Sequence, residues 1–206
     1  MIMKKMDLRV VKTLASIDNA LMQELKEKQF QNVTVDSICK KAQINRTTFY
    51  KHYKDKYDLL DNYVDRFLNE FDAHCSKLFI KPSITDVIDC EENKEGYLST
   101  TNFVIKNKDL CKILWEQSGG RNLLREMIII VARNYYQSSI ENDKALLEDE
   151  QKLSMLDLFS RLLAATYIHS LRWWVINDPL VDEKEYNRIL SDLLRKGLFE
   201  TFKDLI

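Results

Sequence analysis

Thr34-Val-Asp-Ser-Ile-Cys-Lys-Lys-Ala42, then Gln43-Ile-Asn45, then Arg46-Thr-Thr-Phe-Tyr-Lys-His-Tyr53 is the stretch on which the reading of this chain turns. Thr34 is a good helix N-cap, with Ser37 three residues on where a capping box usually carries Glu or Gln. Val35, Ile38 and Ala42 then share one face of a short helix. Gln43 to Asn45 reads as a turn of about three residues, and Asn45 is a second N-cap candidate. Residues 46–53 give a second short helix, so the unit is a helix-turn-helix. Its apolar seam consists of Phe49 with Tyr53. Arg46, Thr47, Thr48, Tyr50, Lys51 and His52 crowd hydroxyls, two cations and an imidazole onto the remainder. A helix entering the DNA major groove needs that division, one seam toward its own domain and a face of donors for base edges and phosphates. Free N–H groups at helix N-termini add a further attraction for phosphate.

Outward from this stretch the periodicity is helical throughout. From Leu8 to Lys28, Val10, Leu14, Ile17, Leu21 and Leu25 recur at spacings of three and four, a buried stripe about five turns long. Phe30 and Val33 connect it to the helix-turn-helix. A long helix is expected from about Asp55 to Phe79, ended by Pro82. The acidic run Cys90 to Gly96 reads as a loop. Further helices are expected near 97–106, 108–117, 120–140, 151–177 and 183–204, with Asp178-Pro179 separating the last two. The whole chain of 206 residues holds only 4 Gly and 2 Pro, too few for the turns of a barrel or sandwich. The expected fold is all-α, an N-terminal three-helix helix-turn-helix domain followed by a helical bundle.

Several function classes fall away on spacing alone. Glycine stands only at Gly96, Gly119, Gly120 and Gly197, so neither a G-x-G-x-x-G nor a G-x-x-x-x-G-K motif exists and no nucleotide cofactor is expected. Cys39, Cys75, Cys90 and Cys111 lack C-x-x-C spacing, which gives no support for disulfides or zinc. His52 has no close Cys or His companion, so no metal is expected. No nucleophile, histidine and carboxylate group is discernible, and an enzyme is not expected. The longest apolar run is Met127 to Ala132, far short of the roughly 20 residues that cross a bilayer. With no apolar stretch in Met1 to Leu8, the expectation is a cytoplasmic protein with no membrane contact.

Net charge is −1, which taken whole argues against a polyanion partner. The distribution reverses that argument. Residues 1–56 carry 12 Lys/Arg against 6 Asp/Glu, a charge of +6, and residues 57–206 carry 19 against 26, a charge of −7. A basic head on an acidic body suits a DNA-binding segment.

The strings Phe30 to Ala42 and Ile44 to Leu60 resemble the DNA-binding domain of TetR/AcrR-type transcriptional regulators. Tyr50, His52, Tyr53, Lys56 and Leu59 carry the most specific part of the likeness. The departure is Gln43, where the family usually has Gly in the turn. If that turn keeps a left-handed residue, Gln costs about 1–2 kcal/mol there. Position by position, the resemblance implies a phosphate contact from Thr34, base-edge contacts from Arg46, Thr47 and Lys51, and backbone contacts from Tyr50, His52 and Lys56. Each has a plainer reading beside it: Thr34 as a cap, the tyrosines as core, the lysines as solvated surface. The family likeness further implies a DNA-binding domain over 1–56 and a regulatory and dimerisation domain over 57–206. It implies a homodimer on a palindromic double-stranded operator, acting as a repressor that a small-molecule effector releases. The alternative is an interaction protein of the same shape, or a ligand-dependent activator, working through a protein partner.

The body offers its own candidates. Ile189, Leu190, Leu193, Leu194, Leu198, Phe199 and Phe202 make the final helix apolar on more than one face, and Gly197 would allow close approach of a second helix. Leu190, Leu194, Gly197 and Leu198 are therefore expected at a dimer seam, the other reading being a fully buried core helix. Trp115, Tyr135, Tyr167, His169 and Trp173 are the candidates for an effector pocket, since aromatic rings with a few polar handles line such sites. Core packing is the alternative for each.

Overall fold

The stripe running from Leu8 folds as helix α1 (Leu8–Glu27) in a computed structural model that describes residues 8–76, 91–116, 121–177 and 181–196, without the side chains of 91–97, 191 and 194–196. Ile17, Leu21 and Leu25 are buried, while Val10 and Leu14 are half-buried. A single 3-10 turn, Phe30–Asn32, then drops Phe30 into the core. Thr34 caps α2 (Val35–Ala42): its Oγ1 accepts the Ser37 N–H at 3.1 Å, and Ser37 Oγ accepts the Thr34 N–H at 3.3 Å. Serine thus completes the capping box without the usual longer side chain.

The same Ser37 hydroxyl donates to the carboxylate of Glu24 on α1. Glu24 is only 2% exposed. Its remaining capacity is filled by Lys28 at 2.6 Å and by Lys41 of α2 at 3.1 Å. Burial works to raise its pKa, but hydrogen bonds from Lys28, Ser37 and Lys41, with the charge of Lys28, outweigh it and hold the group at about 2. An unpartnered buried carboxylate would be prohibitively costly. The position of α2 on α1 is therefore tied to this one group.

Helix α2 ends at Gln43, whose φ of 55° and ψ of 42° lie in the left-handed region. It is the only non-glycine residue with positive φ among the described residues. The Gln43 N–H bonds Lys40 O at 3.3 Å and the Ile44 N–H bonds Cys39 O at 3.1 Å, closing the helix end as a Schellman motif. The left-handed turn survives without its glycine. Helix α3 (Arg46–Phe49) is shorter than the expected 46–53. After Phe49 the ladder tightens, with His52 N–H on Phe49 O at 2.9 Å, and Tyr50 to His52 form a turn. Asn45 makes no side-chain capping bond, so this helix has no N-terminal anchor of its own. Phe49, fully buried, and Tyr53, 5% exposed, hold the segment to the domain. Helix α4 (Lys56–Cys75) starts on Asp55, whose Oδ1 accepts the N–H groups of Tyr57 and Asp58 at 2.8 and 2.9 Å. The rest of the helix expected to reach Phe79, and Pro82, lie outside the described residues.

The chain divides into two compact units, Met1–Phe67 with Ile113–Leu123, and Leu68–Lys112 with Leu124–Ile206. Its later helices are α5 (Glu91–Lys106), α6 (Lys108–Glu116), α7 (Leu123–Asn142), α8 (Glu150–Ile176) and α9 (Glu183–Lys196). No strand occurs among the described residues, and the fold is all-α with an N-terminal helix-turn-helix. Besides the shorter α3, the acidic run differs from expectation: it is helical from Glu91 rather than a loop. Glu and Lys are strong helix formers, and acids favour a helix N-terminus. In the second unit α8 buries Leu163, Tyr167, Ile168, Leu171 and Val175 on one face. Its end is pinned by Trp174, which stacks on Tyr186 of α9 at 4.6 Å and donates from Nε1 to Val181 O at 2.7 Å. Among the described residues, no helix is long and apolar enough to cross a membrane.

Two predictions follow from these local geometries. Gln43→Gly relieves the left-handed penalty and raises stability by about 0.5–1 kcal/mol net of the extra chain entropy, read as a rise of a few degrees in thermal unfolding. A lower melting temperature would show that Gln43 carries no such penalty. For Glu24 the folded pKa lies below the ordinary 4.5, so its contribution is complete above pH 4.5 and is lost as pH falls toward 2. Denaturant titrations should show wild type more stable than Glu24→Gln by on the order of 3 kcal/mol near neutrality. That gap should close between those two pH values.

Candidate nucleic-acid interface

The short α3 sorts its side chains by depth. Phe49 faces the core, in edge contact with Tyr50 at 5.5 Å and tilted on Tyr53 at 5.7 Å. Arg46, Thr47, Tyr50 and Lys51 are exposed. They form two i, i+4 pairs, Arg46 with Tyr50 and Thr47 with Lys51, a contiguous donor face opposite Phe49. Thr34 is exposed at the start of α2, and His52 is half-buried beside Tyr53, ring centres 6.5 Å apart. Six of the seven residues singled out from the sequence thus keep polar surface open to solvent.

Lys56 is placed differently. Its ammonium donates to Phe30 O at 3.0 Å, Gln31 O at 2.9 Å and Val33 O at 2.7 Å, which uses all three N–H groups. It also lies over the rings of Phe30 and Tyr57, at 4.9 and 5.3 Å from their centres. The side chain closes the 3-10 turn between α1 and α2 onto the start of α4. Two further residues of this domain, exposed Asp36 and buried Glu24, were not singled out in the sequence. Asp36 Oδ1 pairs with Arg46 Nε at 3.1 Å. The signals available were an acid in the first turn of α2 and a glutamate four residues before Lys28, and neither indicates a partner on another helix.

In the second unit the aromatic candidates separate. Tyr135 is buried against Phe159, ring centres 5.8 Å apart, and Tyr167 is buried with its hydroxyl 3.2 Å from Thr101 Oγ1. Burial raises the pKa of both hydroxyls. His169 is exposed, and Trp173 is 51% exposed. Trp115 belongs to the first unit, and its indole Nε1 is buried with no acceptor among the described residues. Within the second unit, Tyr135 and Tyr167 thus belong to the core while His169 and Trp173 face solvent. Cavities in that unit have other linings. One of about 340 Å³ is bounded by Ile105, Lys108, Trp174, Val175, Val181, Asp182 and Glu183. Another, about 650 Å³ and more polar, is bounded by residues including Glu70, His74, Ser99, Asn102, Phe103 and Lys106, with His74 Nδ1 2.7 Å from Ser99 Oγ.

Of the dimer candidates, Leu190 is 2% exposed within its own chain. The Leu194 side chain, Gly197 and Leu198 lie outside the described residues. An exposed apolar stripe runs instead along α8. Met155, Leu158, Phe159, Leu162, His169 and Trp173 share one face, and Leu158 and Leu162 are 60% and 58% exposed.

Comparison with known proteins agrees with the N-terminal geometry. Residues 17–63 match the family described as "Bacterial regulatory proteins, tetR family". Over 72 residues the chain is 38% identical to a protein of Bacillus subtilis (strain 168) named as an uncharacterized HTH-type transcriptional regulator, YxbF. That match takes in 34% of this chain and 19% of the relative, so the chain spans about a fifth of the relative's length. A crystal structure of the TetR family repressor AlkX from Dietzia sp. strain DQ12-45-1b, implicated in biodegradation of n-alkanes, overlays 91% of this chain and 97% of its own. Identity there is 18% and the TM-score 0.42, a likeness too loose to argue from.

The geometry separates two lysines that composition alone makes alike. Lys56→Met should lower unfolding stability by about 1–2 kcal/mol, since three carbonyls, two of them part-buried, lose a charged donor. Lys51→Ala, an exposed change, should stay within about 0.5 kcal/mol. Equal effects in chemical denaturation would refute the assignment of the Lys56 ammonium to the domain's own carbonyls.

Proposed function

We propose that this chain, a member of the TetR family of bacterial regulatory proteins, is a homodimeric DNA-binding repressor released from its operator by a small molecule. Members of that family are DNA-binding regulators and not enzymes. The observation that carries the reading is the division of α3: Phe49 fully buried, and Arg46, Thr47, Tyr50 and Lys51 all presented outward beside the capped start of α2. Residues 1–56, with their charge of +6, are the proposed DNA-binding domain, and 57–206 the regulatory and dimerisation domain. Within the DNA-binding set, Arg46, Thr47 and Lys51 read base edges. Thr34, Tyr50 and His52 touch the backbone. Lys56 acts indirectly, by holding the turn that carries Thr34.

A two-fold dimer would read a palindromic double-stranded site with one recognition segment per half-site. The α8 stripe supports dimerisation by a route other than Leu190. Side chains such as Leu158 and Leu162 left in water forfeit apolar burial that a second copy would supply. The effector is proposed to occupy the cavity bounded by Ile105, Trp174, Val175 and Val181, which suits an apolar molecule, with Lys108 and Asp182 as polar handles. Release requires that it bind better to a conformation that binds DNA worse.

Fluorescence anisotropy with the DNA upstream of the chain's own gene tests the central reading. Tight binding that falls steeply with salt and exceeds binding to shuffled DNA is expected. Equal affinity for both sequences would overturn it. Leu162→Asp should shift the protein from dimer to monomer in sedimentation and weaken operator binding, while leaving the helical circular dichroism unchanged. A dimer that persists in this variant would remove α8 from the interface.

A further inference from the structure

We propose that Asp36 is a specificity-determining residue of the DNA-binding surface: by pairing with Arg46 on its Nε side it leaves the guanidinium's terminal Nη pair to a guanine. The proposal rests on the DNA-binding reading above and goes beyond it in assigning a role to a residue that touches no base. Asp36 is the second residue of α2, and Arg46 is the first of α3. The left-handed turn at Gln43 brings them together, with Nε 3.1 Å from Oδ1.

Guanidinium carries five N–H groups in a rigid fork. It can meet a flat two-acceptor partner through the edge that includes Nε or through its terminal Nη pair. Asp36 Oδ1 stands nearest Nε, on the side of the first. The edge left over is the one that fits O6 and N7 of guanine in the major groove. The carboxylate of Asp36, 3.1 Å away, restricts the rotation of Arg46. A free arginine on an exposed helix would instead sample phosphates as readily as bases.

Stability does not account for the pair. The two side chains are 58% and 65% exposed, and ion pairs that open to water contribute little to folding. A carboxylate on a surface that meets DNA is also repelled by every phosphate near it. That repulsion lowers affinity for all sequences alike. The orienting effect rewards only sites with guanine at the right position, so together they widen the difference between right and wrong DNA.

The test uses the full chain as wild type, Asp36→Asn and Arg46→Lys, each checked for unchanged helical signal and melting. Each selects from a pool of randomised duplexes that is then sequenced, and the selected duplex is compared with a shuffled one over a salt series. Asp36→Asn is expected to lose guanine preference at one position per half-site about ten-fold or more. It should bind shuffled DNA several-fold more tightly, with a salt slope steeper by about one as Arg46 turns to phosphate. Arg46→Lys, which keeps the charge but not the fork, should lose the same base preference, and adding Asp36→Asn to it should lose no more. A guanine preference that survives Asp36→Asn, or a uniform loss for all sequences, overturns the role of Asp36 alone. Wild type with no sequence preference overturns the DNA-binding reading and this proposal with it.

Discussion

Burying the Glu24 carboxylate makes its donors obligatory, and most of the N-terminal geometry is a consequence of supplying them. A charge 2% exposed persists only with partners that outweigh desolvation. Here those partners are Lys28 from the end of α1, Ser37 from the first turn of α2 and Lys41 from its last. Two points of contact at opposite ends of an eight-residue helix fix both its place and its tilt. Ser37 is also half of the capping box, so the group that locates α2 also closes its N-terminus. Everything that follows, from the Gln43 turn to the outward face of α3, hangs from a helix positioned in this way.

The cations of this head then fall into different occupations. Lys28, Lys41 and Lys56 are committed to protein acceptors, two to Glu24 and one to the carbonyls of the 3-10 turn. Arg46 is half committed, through Nε only. Lys51 is exposed. A formal excess of six positive charges is therefore a poor measure of what can meet a phosphate. Long-range attraction to a polyanion would act through all of them, but short-range hydrogen bonds would fall to a few.

Sequence reading succeeded where the information was local. The 3.6-residue stripe of α1, the Thr34 cap with Ser37 standing in for glutamate, and the burial of Phe49 all depend on neighbours within a few positions. Among the described residues the body helices were legible by the same period, apart from the start of α5. What escaped was set by residues far apart or by competition between similar readings. Lys56 reaches back 26 positions to Phe30, and no local pattern separates an ammonium on carbonyls from one on phosphate. Asp36 and Arg46 meet only because Gln43 accepts a conformation that its side chain disfavours. The acidic run at Glu91 was read by its charge as a loop, although its helix propensity was equally visible. In α8 the apolar residues surround the helix, so periodicity could not say that Tyr167 is inside while Trp173 is out.

That last pair of positions has an optical consequence. Trp173 and Trp174 are adjacent in sequence yet point to different surroundings, one half in water on the α8 stripe, the other flat against Tyr186 with its N–H on Val181 O. Indole emission shifts with the polarity around the ring and is quenched by stacking. The two neighbours are thus separate native fluorophores one peptide bond apart. The colour of one follows whatever covers the stripe, and the brightness of the other follows the seam between α8 and α9.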